Sequence, residues 1–178
     1  MAPSARGPAM GAAPAESLDP ALTAWAEYDN RYEWRLDLNR SAEFPPLPED
    51  SGEGRRVVYS NSQQRLWLVD GDGVVVDSYL VSGRRGVPRS GTYRVYSKSP
   101  LAYAGHDGVT MTHMVRFARG RHLPIGFHAI PRTRSGRPLQ TMAELGQYRS
   151  AGCVRQPPEK AEQLYYFADL GTTVVVTP

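Results

Sequence analysis

The sequence contains one cysteine, Cys153, among 178 residues. A single cysteine excludes an intramolecular disulfide framework and a zinc site built from several thiolates. The DGDG stretch at 70–73 lacks the further oxygen ligands of a calcium loop, and it predicts a hairpin turn instead. We expect no metal site, because metal-binding spacings such as H-x-x-x-H do not occur among the four histidines, His106, His113, His122 and His128.

Long apolar runs are also missing. No stretch approaches the roughly 18 to 20 apolar residues that a membrane-spanning helix needs, so we expect no membrane span. Residues 1–20 lack the charged and then apolar pattern of a secretory signal, so no signal sequence is visible in this chain. Composition alone leaves the cellular compartment and the oligomeric state open.

Acidic residues are scarce in the middle of the chain. Residues 84–155 carry 13 Lys/Arg and 2 Asp/Glu, whereas residues 1–83 carry 7 Lys/Arg and 13 Asp/Glu. This asymmetry predicts a cationic surface suited to an anionic polymer or a carboxylate-rich substrate, with a merely solubilising surface as the alternative. No helix-turn-helix, ribonucleoprotein or zinc-finger signature accompanies the charge, so we do not expect nucleic acid as a partner.

Composition and periodicity divide the chain into four parts. Residues 1–17 are rich in Ala, Pro and Gly and predict a disordered arm. Over residues 18–42, apolar residues spaced near 3.6 predict an amphipathic helix. Prolines and glycines across 43–55 predict a linker, and residues 56–178 form the main domain.

Period-two alternation predicts that the main domain is mainly β, as a sandwich or mixed sheet. Runs of β-branched and aromatic residues predict strands within 56–60, 64–70, 73–83, 91–99, 109–119, 124–130 and 172–178. One short C-terminal helix interrupts them, because Pro157 and Pro158 suit a first helical turn and Gly171 suits an end. The polar segment between residue 130 and the cysteine predicts a mobile loop over the sheet edge.

The stretch RSAGCVRQ, residues 149–156, carries the candidate chemistry. A thiol becomes a nucleophile when a cation or a general base favours its thiolate, and His128, 25 residues upstream of Cys153, is the candidate base. Gly152 tolerates unusual backbone angles, and the amides of Gly152 and Cys153 are candidate donors to an oxyanion. In an extended segment Arg155 projects from the same face as Cys153, where it is a candidate partner for a substrate carboxylate.

Four elements in this order resemble the catalytic domain of the bacterial L,D-transpeptidases, which remodel peptidoglycan: GVPRSGTYRVY, IGFHAIP, SAGCVR and, after a short helix, GTTVVV. The resemblance covers about residues 56–178. Its strongest element is the pattern Ser, any residue, Gly, Cys, aliphatic residue, Arg. The usual pattern has His where this chain has Ala151, and the segment between His128 and Ser150 is somewhat longer than is common.

The resemblance implies a β-rich, sandwich-like fold with no metal or organic cofactor. It implies that Cys153 attacks the third residue of a stem tetrapeptide and releases D-alanine, with His128 as base, oriented by a carbonyl such as that of Ala129. Ser150 and Arg155 become substrate contacts. Acyl transfer to an amine of a neighbouring stem gives a 3→3 cross-link. The implied partners are stem peptides and anionic wall polymers, outside the cytoplasm.

Several alternatives stay open. Transfer to water makes the same site a carboxypeptidase. A sortase also combines His, Cys and Arg on a β-barrel, but its arginine usually lies on a later strand. Papain-like wall peptidases place Cys before His, the reverse of the order here. Outside the enzymes, a wall-binding scaffold with an inert Cys153 is the alternative, because a lone cysteine is commonly a buried hydrophobe.

Overall fold

The computed structural model describes residues 44–104 and 108–178. The predicted arm at 1–17, the predicted helix at 18–42 and His106 lie outside the described residues. Within these ranges the chain is mainly β with one short C-terminal α-helix, which confirms the predicted fold class. None of the helices in the described part is long and apolar enough to cross a membrane.

The described elements are nine strands, one α-helix and a short 3₁₀ helix. In chain order they are β1 (Arg56–Ser60), β2 (Arg65–Val69), β3 (Val75–Leu80), β4 (Gly91–Arg94), β5 (Ser97–Ala104), β6 (Val109–Arg119), β7 (Pro124–Ala129), the 3₁₀ helix (Met142–Glu144), β8 (Val154–Gln156), α1 (Pro158–Phe167) and β9 (Thr173–Thr177). Sequence reasoning missed β8, which is only three residues long.

The strands form two sheets. Sheet A has the order β3-β2-β1-β9-β4, and sheet B has the order β5-β6-β7-β8. Neighbouring strands are antiparallel except for the parallel pairs β1–β9 and β7–β8. The main core contains alternate residues of both sheets and the apolar stripe of α1, including Val57, Leu66, Phe127, Val154 and Leu164. The fold is therefore a sandwich in which each sheet contributes one apolar face.

The prediction of a single strand over 91–99 is wrong, because the chain crosses between the sheets within this run. The Val95 amide donates a 2.9 Å hydrogen bond to the carbonyl of Thr172, beside sheet A. The next amide, of Tyr96, donates a 2.9 Å hydrogen bond to the carbonyl of Arg116 in sheet B. The alternation of apolar residues continues through the crossing because the Val95 side chain is buried in the core between the sheets.

The DGDG stretch forms the turn between β2 and β3. The Asp70 carboxylate accepts hydrogen bonds from the backbone amides of Asp72, at 3.0 Å, and Val74, at 2.9 Å. An aspartate that bonds to amides just after it stabilises a turn in this way. The hairpin predicted here is confirmed.

The described part of the predicted linker, residues 44–55, contacts sheet A. Phe44 and Leu47 pack against a second apolar cluster on the face of sheet A that points away from the main core, and this cluster includes Trp67 and Val175. The Trp67 indole donates a 2.8 Å hydrogen bond to the carbonyl of Pro45. This segment has no regular helix or strand, yet it covers apolar surface that the sheet leaves open.

We expect Gly126→Ala to destabilise the domain. A Cβ at this position in β7 would lie 2.6 Å from the carbonyl oxygen of Val115 and 3.1 Å from the Cα of Arg116, so the backbone of β6 would have to move. Overpacking of this kind lowers the free energy of unfolding by about 1 to 3 kcal/mol. Urea unfolding measures the loss. Gly71→Ala is the control, because a Cβ there meets nothing within 4 Å, and equal stability of the two variants would contradict the prediction.

Candidate active site

The pairing of β7 with β8 brings the candidate residues to one face of sheet B. In this parallel pair Phe127 lies beside Val154, and His128 lies beside Arg155. Phe127 and Val154 are fully buried in the main core, so the residues next to them along each strand project from the opposite face. His128, Cys153 and Arg155 therefore share that face, which we call the site face.

The His128 imidazole is buried and neutral. Its side chain is 2% exposed, and its Nδ1 lies 2.7 Å from the carbonyl oxygen of Ala129. The pKa of His128 is lowered to about 4, mainly by burial. The hydrogen bond to Ala129 raises this pKa, and the charge of Arg155 lowers it further. A neutral ring that donates from Nδ1 to Ala129 has its lone pair on Nε2, which is the form a general base needs.

The Cys153 thiol is half-buried directly before β8. Its Sγ lies 3.6 Å from the carbonyl oxygen of Pro124. Burial raises the pKa of the thiol, while the backbone amide of Gly126 and then the charges of Arg116 and Arg155 lower it. The net direction is upward, so the free protein holds Cys153 as a thiol and its proton has to be removed during reaction.

Ser150 closes the turn that carries the cysteine. Its hydroxyl accepts a 2.8 Å hydrogen bond from the amide of Gly152 and donates one to the carbonyl of Cys153. The hydroxyl therefore has partners on both sides within four residues of chain. A role for Ser150 in substrate binding stays a prediction, and the structure adds that this side chain shapes the backbone around the thiol.

The loop after β3 supports the same turn. Arg84 Nη1 donates a 3.3 Å hydrogen bond to the carbonyl of Ala151. Gly152 is not among the described residues with positive φ, and a Cβ added to it would meet Val87 Cγ1 at an ordinary 3.9 Å. The unusual backbone angles that the sequence suggested for Gly152 are therefore not used here.

Gln140 connects the long segment 131–149 to the site face. Its side chain is 4% exposed, and its Oε1 accepts a 3.3 Å hydrogen bond from Arg155 Nη1. Its Nε2 donates to the hydroxyl of Ser82, at 2.7 Å, and to the carbonyl of Glu144, at 3.1 Å. Sequence reasoning missed Gln140, because a glutamine in a polar segment carries no local sign that it will be buried.

Glu144 provides a second connection, between the 3₁₀ helix and the cysteine turn. Its Oε2 accepts hydrogen bonds from the amide of Thr141, at 2.9 Å, and from the Thr141 hydroxyl, at 3.1 Å. Its Oε1 lies 2.6 Å from Nη2 of Arg149, which directly precedes Ser150. The Thr141 bonds, more than the Arg149 charge, lower the pKa of Glu144. These contacts lie within the predicted loop and connect its 3₁₀ helix to the residue that precedes Ser150.

Arg116 of β6 is a cation of the site face that sequence reasoning also missed. It stands between Val115 and Phe117, whose side chains are in the main core, so it projects from the opposite face. Its charge lowers the pKa of Cys153 and is a larger influence there than that of Arg155. An arginine within an alternating strand is ordinarily an exposed residue, and only the strand register places this one near the thiol.

We expect His128 to make stability depend on pH. Its pKa is about 4 in the folded protein and near 6.5 in an unfolded chain, so the unfolded state binds the proton first as pH falls. Above about pH 6.5 this histidine costs the folded state no stability. As pH falls towards 4, protonation of His128 in the unfolded chain lowers the free energy of unfolding by up to roughly 3 kcal/mol. Urea unfolding at several pH values should show a shallower loss for His128→Gln than for wild type. His122 is exposed, so His122→Gln is the control. If the unfolding free energy changed equally with pH in all three proteins, the pH dependence would not come from His128.

We expect Gln140→Leu to destabilise the segment over the site. Leucine has a similar volume but leaves buried polar groups of Ser82 and Arg155 without this partner. The expected loss is about 1 to 3 kcal/mol of unfolding free energy, with faster proteolysis within 131–149. Thermal unfolding and limited proteolysis measure these effects. The exposed Gln63 provides the control, Gln63→Leu, and no difference between the two variants would contradict the contact network.

Comparison with known proteins agrees with this geometry. A family model of the L,D-transpeptidase catalytic domain matches residues 54–176. Among solved structures, an L,D-transpeptidase from Mycobacterium smegmatis is 19% identical with a TM-score of 0.56, covering 71% of this chain and 60% of that one. One from Mycobacterium tuberculosis H37Rv is 25% identical with a TM-score of 0.53, covering 71% of this chain and 59% of that one.

A third solved structure is L,D-transpeptidase 3 from Mycobacterium tuberculosis in complex with a faropenem-derived adduct. It is 22% identical with a TM-score of 0.51, covering 71% of this chain and 61% of that one. This chain thus aligns with about three fifths of the length of these structures. Curated proteins gave no match. Because the family model spans well over half of the sequence, this chain belongs to the L,D-transpeptidase catalytic domain family.

Proposed function

We propose that this protein is a peptidoglycan L,D-transpeptidase in which Cys153 is the nucleophile and His128 is the general base. The observation that carries the proposal is the register of β7 and β8: His128 lies on β7, and Cys153 directly precedes β8 on the same face. Membership of the L,D-transpeptidase family supports the substrate class, a stem tetrapeptide of the cell wall.

The first half-reaction acylates Cys153. His128 Nε2 takes the thiol proton as Sγ attacks the carbonyl carbon of the third stem residue. When the tetrahedral intermediate collapses, the C–N bond breaks and the imidazolium returns the proton to the leaving amine of D-alanine. The Ala129 carbonyl holds the other ring proton, at Nδ1, and stabilises the imidazolium while it exists. The product is a thioester on Cys153.

Both reacting side chains start neutral. Burial raises the pKa of Cys153 and lowers the pKa of His128, and each direction disfavours a standing thiolate–imidazolium pair. Proton transfer is therefore coupled to attack, and the negative charge moves to the substrate oxygen as it forms. This arrangement keeps the thiol less reactive than a standing thiolate while no substrate is bound.

The amides of Gly152 and Cys153 are the proposed donors to that oxygen. The Gly152 amide donates to Ser150 Oγ at 2.8 Å, so of these two amides only that of Cys153 is without a partner in the described part of the chain. The Cys153 amide is thus the available donor, whereas the Gly152 amide is held by Ser150 and would have to release it before donating to an oxyanion.

The second half-reaction transfers the acyl group. An amine of a neighbouring stem gives up a proton to His128 and attacks the thioester, which forms a 3→3 cross-link and restores the thiol. Water in place of the amine gives a shortened stem. Arg155 is the proposed contact for a substrate carboxylate close to the imidazole, since it lies beside His128 in register.

The surroundings suit a polyanionic wall. Of 13 Lys/Arg in residues 84–155, the described ion pairs involve only Lys98, with Asp169, and Arg149, with Glu144. The other eleven form no ion pair within the described residues, and we propose that their charge attracts anionic wall polymers. We place the reaction outside the cytoplasm, because its substrate is there.

We expect a Cys153-dependent acyl adduct when the protein meets a disaccharide-tetrapeptide. Intact mass spectrometry should show the adduct with release of D-alanine for wild type and neither for Cys153→Ala. His128→Gln should lower the acylation rate by a factor of about 100 to 10,000, the usual contribution of a general base. Faropenem offers a second probe, because opening of its lactam ring by Sγ leaves the ligand attached.

The control is His122→Gln, which removes an exposed imidazole and should acylate like wild type. Separation of the peptide products as cross-linked dimers or shortened stems then distinguishes transferase from carboxypeptidase. If folded wild-type protein gave no adduct with either probe, the wall-binding scaffold would replace the proposed enzyme.

A further inference from the structure

Arg116 on the site face is oriented by neutral groups. Arg116 Nη1 donates hydrogen bonds to the hydroxyls of Ser99, at 2.6 Å, and Ser97, at 3.3 Å. Across residues 44–104 and 108–178, no Asp or Glu forms an ion pair with it. Two neutral hydroxyls hold the guanidinium in place and leave its charge, and its remaining N–H groups, for another acceptor.

Strand register fixes the position of Arg116 relative to the thiol. Arg116 pairs with Gly126 in the antiparallel ladder of β6 and β7. Gly126 in turn lies beside Cys153, because the residues that follow them, Phe127 and Val154, pair in the parallel ladder. Arg116 and Cys153 are thus two strand spacings apart, about 10 Å between backbones, on the same face. The Arg116 Nη1 bonds to hydroxyls on β5, the strand on the side of β6 away from β7, so the guanidinium faces a part of the ligand removed from the reacting carbonyl.

Arg155 is in a different position. It lies beside His128 in register, and its Nη1 already donates to the buried Gln140. The two arginines therefore stand at separate points of the site face, and each suits a different part of a bound peptide. Guanidinium groups with free N–H pairs recognise carboxylates by a planar, two-point contact.

We propose that Arg116, held by Ser97 and Ser99, binds a carboxylate of the donor peptide several bonds from the carbonyl that Cys153 attacks. This rests on the proposed function for the identity of the peptide, but not for the carboxylate recognition itself. The contact selects donors that carry a free carboxylate at that distance and disfavours amidated ones, which lack the charge.

The first test needs no enzymatic activity. Maleimides add to Cys153 by forming an S–C bond, with the thiol proton passing to the neighbouring carbon, and no group leaves. We would compare a maleimide with a hexanoate tail against the same reagent with a hexanamide tail. Wild type should prefer the carboxylate reagent, and Arg116→Gln should lower the rate ratio by about fivefold, as expected for a partly exposed charge pair.

Matched variants separate recognition from other effects. Arg94→Gln, which removes an arginine bound to the carbonyl of Gly171 at the edge of sheet A, should keep the wild-type ratio. Arg116→Lys should retain part of the preference. If Arg116→Gln does not fold, the double variant Ser97→Ala, Ser99→Ala keeps the charge but frees the guanidinium, and it should also reduce the ratio. Equal slowing of both reagents would mean that Arg116 acts only on the thiol, which would overturn the proposal.

The second test uses peptide donors. Acylation by a tetrapeptide with free side carboxylates should slow about tenfold more in Arg116→Gln than acylation by the same donor amidated at the recognised carboxylate, the difference expected for a charge-assisted hydrogen bond. Comparing the two donors cancels the effect of the Arg116 charge on the thiol, which is the same for both. If acylation by both donors slowed equally, the carboxylate contact of Arg116 would be wrong and the transpeptidase function would be unaffected. Failure of wild type to acylate with any donor, together with an Arg116-dependent maleimide ratio, would reject the function and keep the carboxylate site.

Discussion

The three-residue parallel pairing of β7 with β8 is the contact on which the site depends. This register fixes both the core packing and the placement of the site residues. Phe127 and Val154 are buried in the core, while His128 and Arg155 point to the site face. A shift of one residue in this register would exchange the two faces and expose the apolar side chains. The packing of the sandwich therefore fixes which side chains point to the site face. Parallel neighbours also need a long connection, and here that connection is the segment that covers the site.

Burial of polar groups at the site shapes its reactivity. The imidazole of His128 and the thiol of Cys153 are both held in their neutral forms, because a low-dielectric surrounding penalises charge. Gln140 and Glu144 satisfy polar groups beneath and within the covering segment, so that segment is part of the site and not only a connection. The positive charge of Arg116 lowers the pKa of the Cys153 thiol, against the larger raising effect of burial.

Local pattern was sufficient for most of the fold. Alternation predicted the strands on either side of the core, and paired prolines predicted the start of α1, because both signals involve residues close together in sequence. It failed for the run 91–99, where Val95 and Tyr96 bond to different sheets. It also missed β8, since three residues are too few to display a period.

The sequence by itself determined which reactive and charged groups are present. They are one thiol within a recognisable pattern, a histidine at the end of an apolar strand, and a surplus of arginine in the middle third. Tertiary structure alone decided how these groups meet. It placed Arg116 on the face of the thiol, buried Gln140 against Arg155 and turned the Ser150 hydroxyl into the cysteine turn. These contacts depend on strand register and on burial by distant segments, and no local pattern of residues specifies either.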